Sequence, residues 1–103
     1  MKDEKLFNFN KVEIEQIDGS FHTMAVANSL GNILWSNAKD ITTSELGRKI
    51  WKSRVEIDDK GNVSEEGKAI ELSDKEIDIL KNFVPTINVY PYVVKEGILR
   101  LFK

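Results

Sequence analysis

The period of the apolar positions changes several times along this chain, and each change marks an element. Residues 6–10, Leu6-Phe7-Asn8-Phe9-Asn10, alternate weakly and read as an edge strand or as a loose arm over 1–10. From Lys11 to Ala25 two β-like segments flank Asp18-Gly19, a two-residue hairpin signal. A turn at that pair sets Glu15 opposite His22, Ile14 opposite Thr23 and Val12 opposite Ala25. Val12, Ile14, Phe21 and Ala25 then share one face, and Glu13, Glu15 and His22 the other.

From Val26 the spacing becomes helical: Val26, Ala27, Leu30, Ile33, Leu34, Ala38 and Ile41 form a stripe that predicts a helix over 26–38. Gly31 weakens it by roughly 1 kcal/mol relative to alanine. Thr42-Thr43-Ser44-Glu45 has the form of a capping box, opening a short helix that buries Leu46 and Ile50 and ends near Ser53. Val55-Glu56-Ile57 alternates as a strand, 58–62 reads as a turn, and 68–72 is the expected antiparallel partner.

The clearest local signal follows. Ser73 stands three residues before Glu76, so its hydroxyl can accept from the Glu76 amide while the Glu76 carboxylate reaches back to the Ser73 amide. Asp74 and Glu76 suit the positive end of the helix dipole, and Pro85 stops the helix after Val84. Pro91 suits the first turn of a last helix, on which Tyr92, Val94, Ile98, Leu99, Leu101 and Phe102 cover a broad arc. Only Glu96, Arg100 and Lys103 form a polar strip, so this helix has more apolar surface than one core contact uses. No internal repeat or long linker interrupts the pattern.

Together these elements predict a single α+β domain over 1–103: an N-terminal β-hairpin, two helices, a second short hairpin, then a capped helix and a C-terminal helix packed on a small antiparallel sheet. The length of 103 residues allows one core and not two. No apolar run approaches the roughly 20 residues of a bilayer span, so no membrane association is expected. Met1-Lys2-Asp3-Glu4-Lys5 carries acids and leads into no signal-peptide core, and there is no cysteine, which together favour a cytoplasmic setting. Fifteen basic against seventeen acidic residues leave a net charge of −2, so nucleic acid binding would require a local patch.

Chemistry-bearing constellations are sparse. His22 is the lone histidine, and nothing in the sequence sets a nucleophile or second ligand beside it. Glu56, Asp58, Asp59, Glu65 and Glu66 surround Gly61, but an EF-hand register puts Lys60 at a ligand position and Gly67 where the bidentate acid belongs. No cofactor, metal or enzymatic activity is therefore expected. Arg48, Lys49, Lys52 and Arg54 make the one local basic cluster, with Trp51 at its margin. That arrangement can contact phosphates and stack a base, and the segment 55–72 also reads as the wing of a winged-helix DNA binder. The helix dipole alone also accounts for basic residues late in a helix. Trp35 and Trp51 fall at the edges of their stripes, either as core margin or as binding anchors. Tyr90, Tyr92, Val93, Leu99 and Phe102 mark the over-apolar tail as a second candidate interface, for a protein partner or a second copy in a homodimer.

The phrases Asn28-Ser29-Leu30-Gly31-Asn32-Ile33-Leu34 and Ser44-Glu45-Leu46-Gly47-Arg48-Lys49-Ile50-Trp51, with the 70–84 unit, resemble small uncharacterised proteins encoded by bacterial prophages. The resemblance spans most of the chain and implies a short cytoplasmic accessory protein, with no functional residues to carry over. The expected role is a non-enzymatic protein-interaction module, and the alternative is a nucleic-acid-binding accessory protein using the basic cluster.

Overall fold

The Ser73 capping box forms as its spacing predicts. In a computed structural model that describes residues 6–65 and 67–102, the Glu76 amide donates to Ser73 Oγ at 3.2 Å and the Ser73 amide donates to Glu76 Oε1 at 2.9 Å. Residues 1–5 of the expected arm, Glu66 of the acidic cluster and Lys103 of the polar strip lie outside the described residues. The box opens α3 (Asp74–Phe83), which runs into a 3₁₀ turn at Val84–Thr86 containing Pro85. The remaining elements are β1 (Leu6–Phe7), β2 (Val12–Glu15), β3 (Phe21–Met24), α1 (Ala27–Asn37), α2 (Ile41–Lys52), β4 (Glu56–Ile57), β5 (Val63–Glu65), β6 (Ile70–Glu71) and α4 (Tyr92–Arg100).

The fold is α+β, and its strands form three separate two-stranded antiparallel ladders among the described residues, β1–β6, β2–β3 and β4–β5. The second hairpin departs from expectation because its turn closes early. Asp58 Oδ1 accepts from the Lys60 and Asn62 amides, and Gly61 takes a φ of 82°, so β4 pairs at once with β5 instead of with 68–72. Ile70 and Glu71 are thereby released to pair with Phe7 and Leu6.

The first hairpin is shifted by one residue from the expected register. Gln16 and Ser20 close a three-residue loop, Ile17-Asp18-Gly19, with Gly19 at φ 86°. Such a loop, a turn followed by a left-handed glycine, reads the same Asp-Gly signal differently from a two-residue turn. Glu15 consequently pairs with Phe21 and Ile14 with His22. Phe21 moves from the expected core face to the outer one, where it is 53% exposed beneath the Arg100 guanidinium. His22 loses its expected partner Glu15.

The segment 6–10 is anchored in the fold through Phe7, Phe9 and Asn10, which are buried, while Leu6 is exposed. Phe9 is fully buried and its carbonyl accepts from the Val26 amide at 2.7 Å. Asn10, buried, donates to the Ser53 carbonyl at 2.7 Å and accepts from the Val55 amide at 3.0 Å, fastening the arm to the end of α2. The α2 cap also differs from expectation. The N-cap is Asp40 rather than Thr42: its Oδ1 accepts from the Thr43 amide at 2.7 Å, and Ile41 becomes the exposed first helical residue rather than part of the α1 stripe. Aspartate at that position already supplies the oxygen an N-cap needs, and the hydrogen bond holds its carboxyl below the usual range.

The last helix turns one side of its apolar arc, with Val94, Gly97 and Ile98, into the fold. Gly97 lets the α4 backbone lie directly on β2, since a Cβ there meets the Glu13 carbonyl oxygen at 2.6 Å and Ile14 Cδ1 at 2.8 Å. Beyond the helix, the Phe102 ring packs 5.3 Å from that of Phe7 and 6.4 Å from that of Phe9.

Candidate functional site

Helices α1 and α2 are joined by Ala38-Lys39-Asp40 and run antiparallel at very short range. A Cβ on Gly31 meets the Gly47 carbonyl oxygen and Trp51 Cβ, both at 2.7 Å. A Cβ on Gly47 meets the Gly31 carbonyl oxygen at 2.8 Å and the Trp35 amide nitrogen at 2.9 Å. The two glycines that stand alone in sequence therefore form one seam.

This pairing shows a repeat that the sequence reading does not find. Leu30-Gly31-Asn32-Ile33-Leu34-Trp35 on α1 matches Leu46-Gly47-Arg48-Lys49-Ile50-Trp51 on α2 in its leucine, glycine, aliphatic and tryptophan positions. The unit is shorter than the roughly 20–50 residue periods of repeat architectures, and it acquires meaning only when the antiparallel helices bring the copies together. Each copy sends its aliphatic residues inward: Leu30, Leu34, Leu46 and Ile50 are at most 1% exposed. An antiparallel pair is related by a dyad perpendicular to its layer, so equivalent positions emerge on the same side. Trp35 and Trp51, 49% and 37% exposed, share the outer face.

Each indole is covered by an arginine. The Arg48 guanidinium crosses from α2 to lie 4.6 Å from the Trp35 ring centroid. Arg54, just beyond α2, lies 3.5 Å from that of Trp51, donates to the Trp51 carbonyl at 3.1 Å and pairs with Glu56 at 2.7 Å. Tryptophan is the best ring for a cation–π contact, and a guanidinium held over it restricts both side chains.

The expected basic cluster is thereby divided. Arg48 and Arg54 join the tryptophans. Lys49 turns to α3 and binds the Glu76 carboxylate at 3.2 Å, the same group that closes the capping box. Burial pushes the Glu76 carboxyl upward, but the Ser73 amide and the Lys49 ammonium more than offset it and hold the group below its ordinary value. Lys52 is exposed at the end of α2.

The expected tail interface is divided as well. Tyr90 is buried and its hydroxyl shares a 2.5 Å hydrogen bond with Ser29 Oγ; burial raises its pKa, with the Ser29 contact opposing. Leu99 and Phe102 are partly buried against the core. Tyr92 and Val93 are exposed, with Val89 nearby in sequence.

An open cleft of about 690 Å³ lies between the α1–α2 connection and segment 83–89, with Ile33, Phe83 and Val89 against Lys39, Asp40 and Asn88. His22 lies on β3 and is not among the residues lining it. No group of three or more acidic or histidine side chains among the described residues is placed to hold a metal ion, and no helix among them is long and apolar enough to cross a membrane. No family model, curated protein or solved structure matches the chain.

Proposed function

We propose that this chain is a small non-enzymatic accessory module that binds a protein partner through the outer face of α1 and α2. The supporting observation is the placement of Trp35 and Trp51 on one solvent-facing surface, each with an arginine stacked on its ring. Tryptophan and arginine are the residues most enriched at interface hot spots, and prior ordering by cation–π stacking reduces the side-chain entropy lost on binding. A cytoplasmic setting, implied by the resemblance to prophage-encoded proteins, belongs to this proposal.

The test is crosslinked affinity capture from the native host, comparing the natural chain with Trp35→Ala/Trp51→Ala after circular dichroism has established equal helicity. The expected result is a protein held by the natural chain and lost from the variant. An unchanged set of captured proteins overturns the reading.

A further inference from the structure

We infer that the partner presents a short acidic segment to this face, an inference that rests on the docking role proposed above. The size of the face limits the occupant. Helices of 11 and 12 residues are about 16–18 Å long, and at a spacing of about 8–10 Å and a diameter of about 10–12 Å their outer side offers on the order of 300–400 Å². That is at most about half of the ~800 Å² each partner contributes to a standard interface. A second globular copy seated here alone falls short of a stable dimer, whereas an extended or helical segment is well matched.

Charge then selects the chemistry. Arg48 and Lys52 belong to no ion pair among the described residues, while Lys49 is held by Glu76 and Arg54 by Glu56. With exposed Glu45 three residues before Arg48 on the same helix, these cations leave a small local excess of positive charge on a chain of net charge −2. One or two carboxylates satisfy it. A nucleic acid strand, which draws its affinity from many phosphate contacts, finds few here and meets repulsion from the rest of the molecule. An apolar side chain against the two indoles and carboxylates at Arg48 and Lys52 complete the match.

The experiment uses the full chain and follows tryptophan emission and binding heat. The probes are a soluble synthetic peptide of glutamate, aspartate and leucine, its glutamine and asparagine analogue, and oligothymidylate. The acidic peptide is expected to bind about tenfold more tightly than its amide analogue, as two exposed charge pairs provide. Arg48→Glu removes that preference, and Trp35→Ala/Trp51→Ala removes binding altogether. Arg48→Gln, with a smaller loss, serves where Arg48→Glu does not fold. Equal binding of both peptides overturns the acidic segment while leaving the docking face in place. Failure of both peptides, with host capture still dependent on the tryptophans, does the same. Oligothymidylate binding in place of peptide overturns the inference and the docking role together.

Discussion

Gly31 and Gly47 face one another across the α1–α2 seam so closely that a Cβ on either meets the other's carbonyl oxygen at 2.7 or 2.8 Å. Both neighbours are backbone atoms and cannot swing away. Alanine at either position gains roughly 1 kcal/mol of helix propensity, yet overpacking typically costs about 1–3 kcal/mol and here separates two helices. Gly31→Ala and Gly47→Ala should each lower the midpoint of urea unfolding, and should alter tryptophan emission because the seam positions both indoles. A rise in the midpoint would mean that the helices are not in backbone contact.

Asn10 is the next point of failure. Its side chain serves the Ser53 carbonyl and the Val55 amide at once, and it is only 7% exposed. Asn10→Ala leaves two backbone groups without this partner, a loss of about 2–4 kcal/mol in a denaturant titration. Asn10→Asp retains the acceptor for Val55 but sets a carboxylate against the Ser53 carbonyl, so it should not rescue the loss. A change below about 0.5 kcal/mol for Asn10→Ala would show that water replaces the bridge without cost.

The capping box couples stability to pH. Ser73→Ala should cost about 1 kcal/mol, the usual value of an N-cap hydroxyl. Glu76 has a folded-state pKa below its ordinary value of 4.5, so its contribution is fully present above the unfolded pKa. It is lost as pH falls through the lower folded value. Unfolding midpoints measured across that acid range should fall more steeply for the natural chain than for Glu76→Gln. Parallel pH profiles for the two would remove Glu76 as the cause.

What the sequence makes legible is the local chemistry. Ser73 and Glu76 sit three residues apart and need nothing else to find each other, and the stripe Leu30, Leu34 with Leu46 and Ile50 marks the buried side of both helices. Register is harder, because Asp18-Gly19 suits both a two-residue and a three-residue loop, and one residue of slip carries Phe21 to the opposite face. Pairings between distant segments, such as β1 with β6, have no local signature at all. The candidate site falls between these cases. Its tryptophans and arginines stand out by type, but their assembly depends on a glycine seam between helices. In sequence, Gly31 looks only like a weakness in a helix.

The C-terminal residues separate into two groups that mutation can distinguish. Tyr92 and Val93 are 76% and 43% exposed, whereas Leu99 and Phe102 pack against the core, Phe102 through its contacts with Phe7 and Phe9. From the sequence alone, Leu99→Lys and Val93→Glu are equivalent ways to weaken an interface without unfolding the chain. With Leu99 partly internal, Leu99→Lys should cost about 2 kcal/mol of stability, and Phe102→Ala about 2–4 kcal/mol. Val93→Glu and Tyr92→Lys should stay within about 0.5 kcal/mol of the natural chain, as exposed positions do. Light scattering on these two variants then reports association without the confounding effect of unfolding. If the tail mediates self-association, Val93→Glu lowers the apparent mass at high concentration with an unchanged unfolding midpoint. An unfolding midpoint lowered as much by Val93→Glu as by Leu99→Lys would instead place Val93 inside the fold.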